Sequence, residues 1–157
     1  MKTAGKIIVA GIVGTTFMTL YSYIISKKEK QEFTEPVLLN KLIDKEEGLP
    51  NIQNDDVHPA GWLAHYGVGI LFVIAYWIIW RRSLQSPGIV KSLLIGSASG
   101  GVAIVAWKLM FAASDNPPGN DRRGYYRQLF VAHIIFSLLA VYGYKLPEYA
   151  QNSLKLK

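Results

Sequence analysis

Four long apolar runs dominate the chain and restrict what it can fold into. They cover residues 5–26, 61–80, 89–113 and 126–144. Each approaches or exceeds the ~20 residues that carry a helix across a hydrocarbon core. A soluble helical bundle would show a polar stripe along each helix, and the second and fourth runs have none. The run ends carry helix punctuation. Pro59 and Pro87 fall at helix starts, where a missing N–H costs nothing. Pro117-Pro118-Gly119 and Pro147 stop the third and fourth runs. Trp62, Trp77, Trp80, Tyr125, Tyr126 and Tyr144 lie near run ends, where an aromatic belt belongs. The pattern predicts an all-α polytopic membrane protein, with four transmembrane helices bundled in a single domain over residues 1–157.

Half of the 157 residues are hydrophobic, and the formal charge is +6. A basic chain invites a nucleic-acid reading, but Lys27-Lys28 and Arg81-Arg82 flank apolar runs and form no continuous stripe. That placement suits a lipid bilayer as partner and excludes nucleic acid. The chain has no cysteine, which excludes disulfides, thiolate metal sites, iron–sulfur clusters and covalently attached haem. The first run follows Lys2 and contains Lys6, as in a secretory signal, yet it is long, is followed by Lys27-Lys28 and lacks a small-residue cleavage site. It reads as a retained helix.

Four spans put both termini on one side. The lysine and arginine tallies of the two sides balance, but the short second loop, with Arg81 and Arg82, contains no acid. Short loops weigh most in the positive-inside rule, so both termini are expected in the cytoplasm. In the long first loop, residues 27–60, the stretch "TEPVLLNKLIDKEEG" places Val37, Leu38, Leu42 and Ile43 at helical spacing behind Thr34, a candidate cap. This predicts a short amphipathic helix on the membrane surface or over the bundle mouth. "LPNIQNDD" after it reads as irregular loop, and residues 145–157 as a tail.

The third run contains "GSASGG". Ser92, Gly96 and Gly100 form an extended small-xxx-small pattern that lets a neighbouring helix approach closely, here inside the bundle. Gly101 shares a helix face with Ser97 and Lys108, which turns Lys108 toward the bundle by the same logic. Two readings of Lys108 stay open. It snorkels or forms a structural ion pair, or it belongs to a polar pocket with His65 and His133 in the leaflet beneath the first loop. Tyr21, Tyr23, Asp115, Asn116, Arg122 and Arg123 border that level. Lys108 with Asp115, Arg122 and Arg123 suits an anionic headgroup or small acid. Two histidines on different helices also invite b-type haem, with the lysine an awkward neighbour. Each histidine taken alone reads as a hydrogen-bond donor that fixes packing. HExxH is absent and the spans hold no carboxylate, so no metal site and no catalytic motif is indicated.

"HPAGWLAHYGVG", "AASDNPPGNDRRGYYRQLFVAH" and "HIIFSLLAVYGY" together resemble a family of small bacterial four-span membrane proteins known only as a domain of unknown function. The resemblance implies a bacterial inner membrane and four helices, with no assigned reaction. It carries over His65, Tyr66, Gly69, Asn116, Pro117 and His133 and offers no counterpart for Lys108. Binding of a small amphiphile or lipid headgroup, or service as accessory subunit of a membrane-protein partner, is the expected role, with no cofactor. A membrane enzyme or redox protein using His65 and His133 is the alternative.

Overall fold

Each apolar run becomes one long helix, because a backbone in hydrocarbon must satisfy its own hydrogen bonds. The computed structural model describes residues 2–45 and 54–149. The helices are α1 (Thr3–Glu29), α2 (Glu35–Asp44), α3 (Pro59–Ile79), α4 (Arg81–Gln85), α5 (Ile89–Ala113) and α6 (Arg122–Gly143), with no strand among the described residues. Four of them are long and apolar enough to cross a membrane. Most of the stretch read as irregular loop and most of the tail lie outside the described residues.

Two element boundaries depart from the sequence reading. The fourth spanning helix starts at Arg122 and not near residue 126, because the Asp121 carboxylate accepts the Arg123 N–H at 3.1 Å and caps it. The basic second loop contains α4, pinned by the fully buried Leu84. The amphipathic segment forms as α2, and it lies over the bundle mouth with Val37, Leu38 and Leu42 buried. Thr34 takes the N-cap position, but its hydroxyl pairs with Ser26 at 3.3 Å and caps nothing.

The spanning helices stand in an open arc. α1 packs against both α3 and α6, α6 packs also against α5, and α3 and α5 barely approach. A hydrogen bond from the Tyr76 hydroxyl to Ser99 at 2.8 Å spans that gap. The order around the arc is therefore α3, α1, α6, α5, and one lateral seam is left open.

Polarity runs inside out. Thr15, Ser22, Ser92 and Ser137 are buried, while Leu63, Leu71, Ile78, Leu94, Val102 and Leu109 are exposed. A water-soluble bundle would reverse this, so lipid is the solvent the surface fits. Burial of apolar area drives little between helices in lipid; close packing and hydrogen bonds hold them. At the α5–α6 crossing a Cβ on Gly96 would lie 2.7 Å from the Ile134 Cα, and one on Gly100 would lie 2.9 Å from the Phe130 ring. Ser137 Oγ donates to the Ser92 carbonyl at 2.9 Å in the same contact. Ser92, Gly96 and Gly100 thus pack helices as expected. Gly101 does not: nothing lies within 4 Å of its Cβ position. It stands ~100° further around the helix than Gly100, which takes it off the contact.

Candidate functional site

Beneath α2, between α3 and α5, lies a cavity of about 100 Å³. Its walls are apolar and aromatic, with Phe72, Trp107, Met110 and Phe136 among them. Polar atoms enter from Thr15, Glu35, His65 and His133. No lysine or arginine lines it. Val68 and Ala106, exposed on the facing edges of α3 and α5, also line it, so the cavity opens sideways toward lipid through the seam of the arc.

A chain of hydroxyls on α1 builds one side. Thr15, Thr19, Ser22 and Ser26 recur at helical spacing and are all buried. Thr19 donates its single hydroxyl proton to the Thr15 carbonyl at 2.8 Å. Its oxygen therefore accepts from His65 Nε2–H at 2.9 Å, and the network assigns the His65 lone pair to Nδ1. His133, about three turns inside α6, faces a carbonyl instead. Its Nδ1–H donates to the Leu129 oxygen at 2.9 Å, which leaves Nε2 as an acceptor. The Phe72 ring meets the His133 ring edge-on, 5.4 Å between centroids, and fixes its plane.

Glu35 closes the cavity from above. It is the first residue of α2 and fully buried. Oε1 accepts from Ser22 Oγ at 2.8 Å and from Gln128 Nε2 at 3.3 Å, tying α2 to α1 and α6. Oε2 has no hydrogen-bond partner, and neither does the Thr15 hydroxyl. Burial pushes the Glu35 carboxyl up to about 7, against hydrogen bonds from its own backbone, Ser22 and Gln128 that pull it down. With both donors on Oε1, the proton of the neutral form sits on Oε2. With Glu35 in its neutral form, the cavity lining holds one unused O–H donor, two imidazole acceptors on His65 and His133, and the unpartnered Thr15 hydroxyl.

The other sequence candidates scatter. Lys108 is exposed on the outer face of α5, its ammonium 5.5 Å from the Tyr126 ring centroid. The pocket shared by Lys108, His65 and His133 does not form. The inward face of α5 is the Ser92, Gly96, Gly100, Ala103, Trp107 stripe, and Lys108 lies ~100° from it. Tyr66 faces a separate groove between α1 and α3, where its hydroxyl pairs with Thr16 at 3.0 Å. Arg122 stacks on Phe111 at 3.4 Å and donates to the Pro118 carbonyl at 2.6 Å, riveting the third loop onto α5. Asp115, Asn116 and Arg123 are exposed. Of that set His65 and His133 meet in this cavity, while Lys108 and Arg123 line a separate groove outside the bundle.

The residues do not fit b-type haem. His65 spends Nε2 on Thr19, and a cavity of about 100 Å³ is smaller than the ~150 Å³ that admits a single benzene ring. Among the described residues no cluster of three or more His, Asp or Glu is placed to hold a metal ion.

Sequence reasoning missed Glu35, Thr15, Thr19, Ser22 and Gln128. A signal existed for the α1 group. Hydroxyl residues at 15, 19, 22 and 26 recur along one stripe of α1, and that stripe is the inward face. Fold and site together define a polytopic helical membrane protein with a lipid-accessible polar cavity that no lysine or arginine lines. No protein-family model, curated protein or solved structure matches the chain.

Proposed function

We propose that the protein binds a small amphiphile with a neutral polar head, taken from the bilayer through the seam between α3 and α5. The observation that carries this reading is Glu35, fully buried with its Oε2 unpartnered, in the lining of a cavity that also holds His133 and no lysine or arginine. An unmade hydrogen bond in such a place costs about 1–3 kcal/mol, which a ligand hydroxyl recovers by accepting from Glu35 and donating to His133 Nε2. An anionic head finds no counter-charge there. The expected headgroup chemistry thus narrows to a hydroxyl or carbonyl, its apolar tail leaving past Val68 and Ala106. Service as an accessory subunit that presents such an amphiphile to a membrane-protein partner is compatible with this role. A redox reading through His65 and His133 lacks a fitting cofactor site.

A photoactivatable hexadecanol carrying a diazirine tests this in proteoliposomes. Crosslinks should concentrate on residues 68–72 and 103–110, and Ala106→Trp, which fills the opening, should reduce them about tenfold. Labelling spread evenly over all lipid-facing helices, or unchanged in Ala106→Trp, would sink the reading.

For location, we infer a bacterial inner membrane from the family resemblance, and both termini cytoplasmic on the strength of the acid-free second loop. The chain lacks cysteine, so single replacements report cleanly. Asn116→Cys should react with an impermeant maleimide in spheroplasts and Gln85→Cys, also exposed, should not. The opposite pattern reverses the orientation.

A further inference from the structure

We propose that a second lipid site lies outside the bundle, where Lys108, Arg123 and Arg127 hold the phosphate of an anionic phospholipid. A groove of about 1010 Å³ runs between α1, α5 and α6, and these three cations line it. Tyr21 and Ile25 of α1, Ile104 of α5, and Phe130 and Val131 of α6 form its apolar floor. None of the titratable residues of the histidine cavity lines it.

Depth, charge and the apolar floor agree on the occupant. α5 has 25 residues and so is about 37 Å long, which extends it about 4 Å past each face of a ~30 Å hydrocarbon core. Lys108 stands five residues before the end of α5, and Arg127 five residues after the start of α6. Both therefore leave the backbone just inside the hydrocarbon boundary, and their long side chains reach the phosphate layer. Packing on the Tyr126 ring holds the Lys108 ammonium in the groove, 5.5 Å from the ring centroid.

Among the described residues no carboxylate lies within 4.0 Å of any of the three cations. Glu29 and Asp121 share the groove, but Asp121 already caps α6 through Arg123 N–H, and one net positive charge remains. An apolar partner helix laid in this groove would bury that excess positive charge without a counter-charge, at a cost of several kcal/mol. A phospholipid supplies the charge with its phosphate and covers Ile104, Phe130 and Val131 with an acyl chain. Arginine forks suit phosphate oxygens in pairs, and lysine adds a point charge.

The test is lipid retention by the intact protein in mild detergent, read by native mass spectrometry with equimolar phosphatidylglycerol and phosphatidylcholine. The parent should retain phosphatidylglycerol at least about tenfold over phosphatidylcholine. The triple variant Lys108→Gln, Arg123→Gln, Arg127→Gln should lose that preference. A charge-matched control at the opposite membrane face, Arg81→Gln, Arg82→Gln, Lys91→Gln, should keep it. Arg123→Lys with Arg127→Lys, which preserves charge and disturbs folding least, should retain phosphatidylglycerol with a loss of only a few-fold. Equal retention of the two lipids by the parent overturns the proposal, as does a preference that survives the triple variant. Displacement of the lipid by millimolar inorganic phosphate also overturns it, because the site would then read free phosphate. The cavity crosslinking experiment is independent of all these outcomes.

Discussion

Replacing Asn40 with leucine is expected to unseat α2 and lower stability by about 3 kcal/mol or more. Asn40 is fully buried. Its amide donates to the Asp55 carbonyl at 2.7 Å and the His58 carbonyl at 2.9 Å, and its Oδ1 accepts from the Gly61 N–H at 2.7 Å. One side chain thereby satisfies three backbone groups around the start of α3, where the chain turns from the first loop into the membrane. Leucine fills a similar volume and satisfies none of them, and each orphaned group costs about 1–3 kcal/mol. Unfolding by sodium dodecyl sulfate in mixed micelles reads the loss directly. Limited proteolysis should cut between α2 and α3 in the variant well before the parent. A midpoint within about 0.5 kcal/mol of the parent would show that α2 is not held this way.

Glu35→Gln is expected to remove a pH dependence worth about 3 kcal/mol. The folded chain holds the Glu35 carboxyl near 7, above its ordinary value of 4.5, mainly because burial penalises the carboxylate. Between those two values the folded state binds more protons than the unfolded one. Stability therefore falls as pH rises through that window, is greatest below it, and levels off above about 7. The groups facing Glu35 are Ser22 of α1, Gln128 and Tyr125 of α6, Glu32 before α2, and the two cavity histidines. Glu32 adds to the upward displacement, and the hydrogen bonds from Ser22 and Gln128 oppose it. Glutamine keeps the shape and the acceptor on Oε1 but carries no titrating proton. The difference between parent and variant should thus decline from pH 4.5 to 7 and be flat above. A difference that does not change with pH would place the carboxylate in water.

How much of this was legible beforehand depends on the kind of information each feature needs. The four spans follow from run length and hydropathy, which one bilayer thickness converts into helices whatever their neighbours do. The Ser92, Gly96, Gly100 stripe was legible for a related reason, since small residues one turn apart leave a groove that another helix fills. The amphipathic spacing of Val37, Leu38 and Leu42 likewise announced α2. Its two allowed resting places, membrane surface or bundle mouth, are indistinguishable in sequence, because both bury the same apolar face.

The site was less legible. His65 and His133 stood out as polar residues in apolar helices, and they do share a cavity. Lys108 stood out for the same reason and does not share it. A difference of ~100° around α5 separates inward from outward, and the face was judged from Ser97 and Gly101 when the true contact runs through Gly96, Gly100 and Trp107. Glu35 carries no distinguishing signal in the sequence, because an acid at the start of a loop helix is ordinarily a favourable solvated charge near the helix dipole. Only the fold, by laying α2 across Ser22 and Gln128, turns it into a buried acid.

The sequence by itself determined the solvent, the number of crossings and the surfaces that must meet lipid, because these depend on composition along single helices. The tertiary structure alone decided the order of helices around the arc, the seam between α3 and α5, and the company Glu35, His65 and His133 keep. Those depend on which helix faces which, and in lipid the choice rests on close contacts and a few hydrogen bonds between residues distant in the chain.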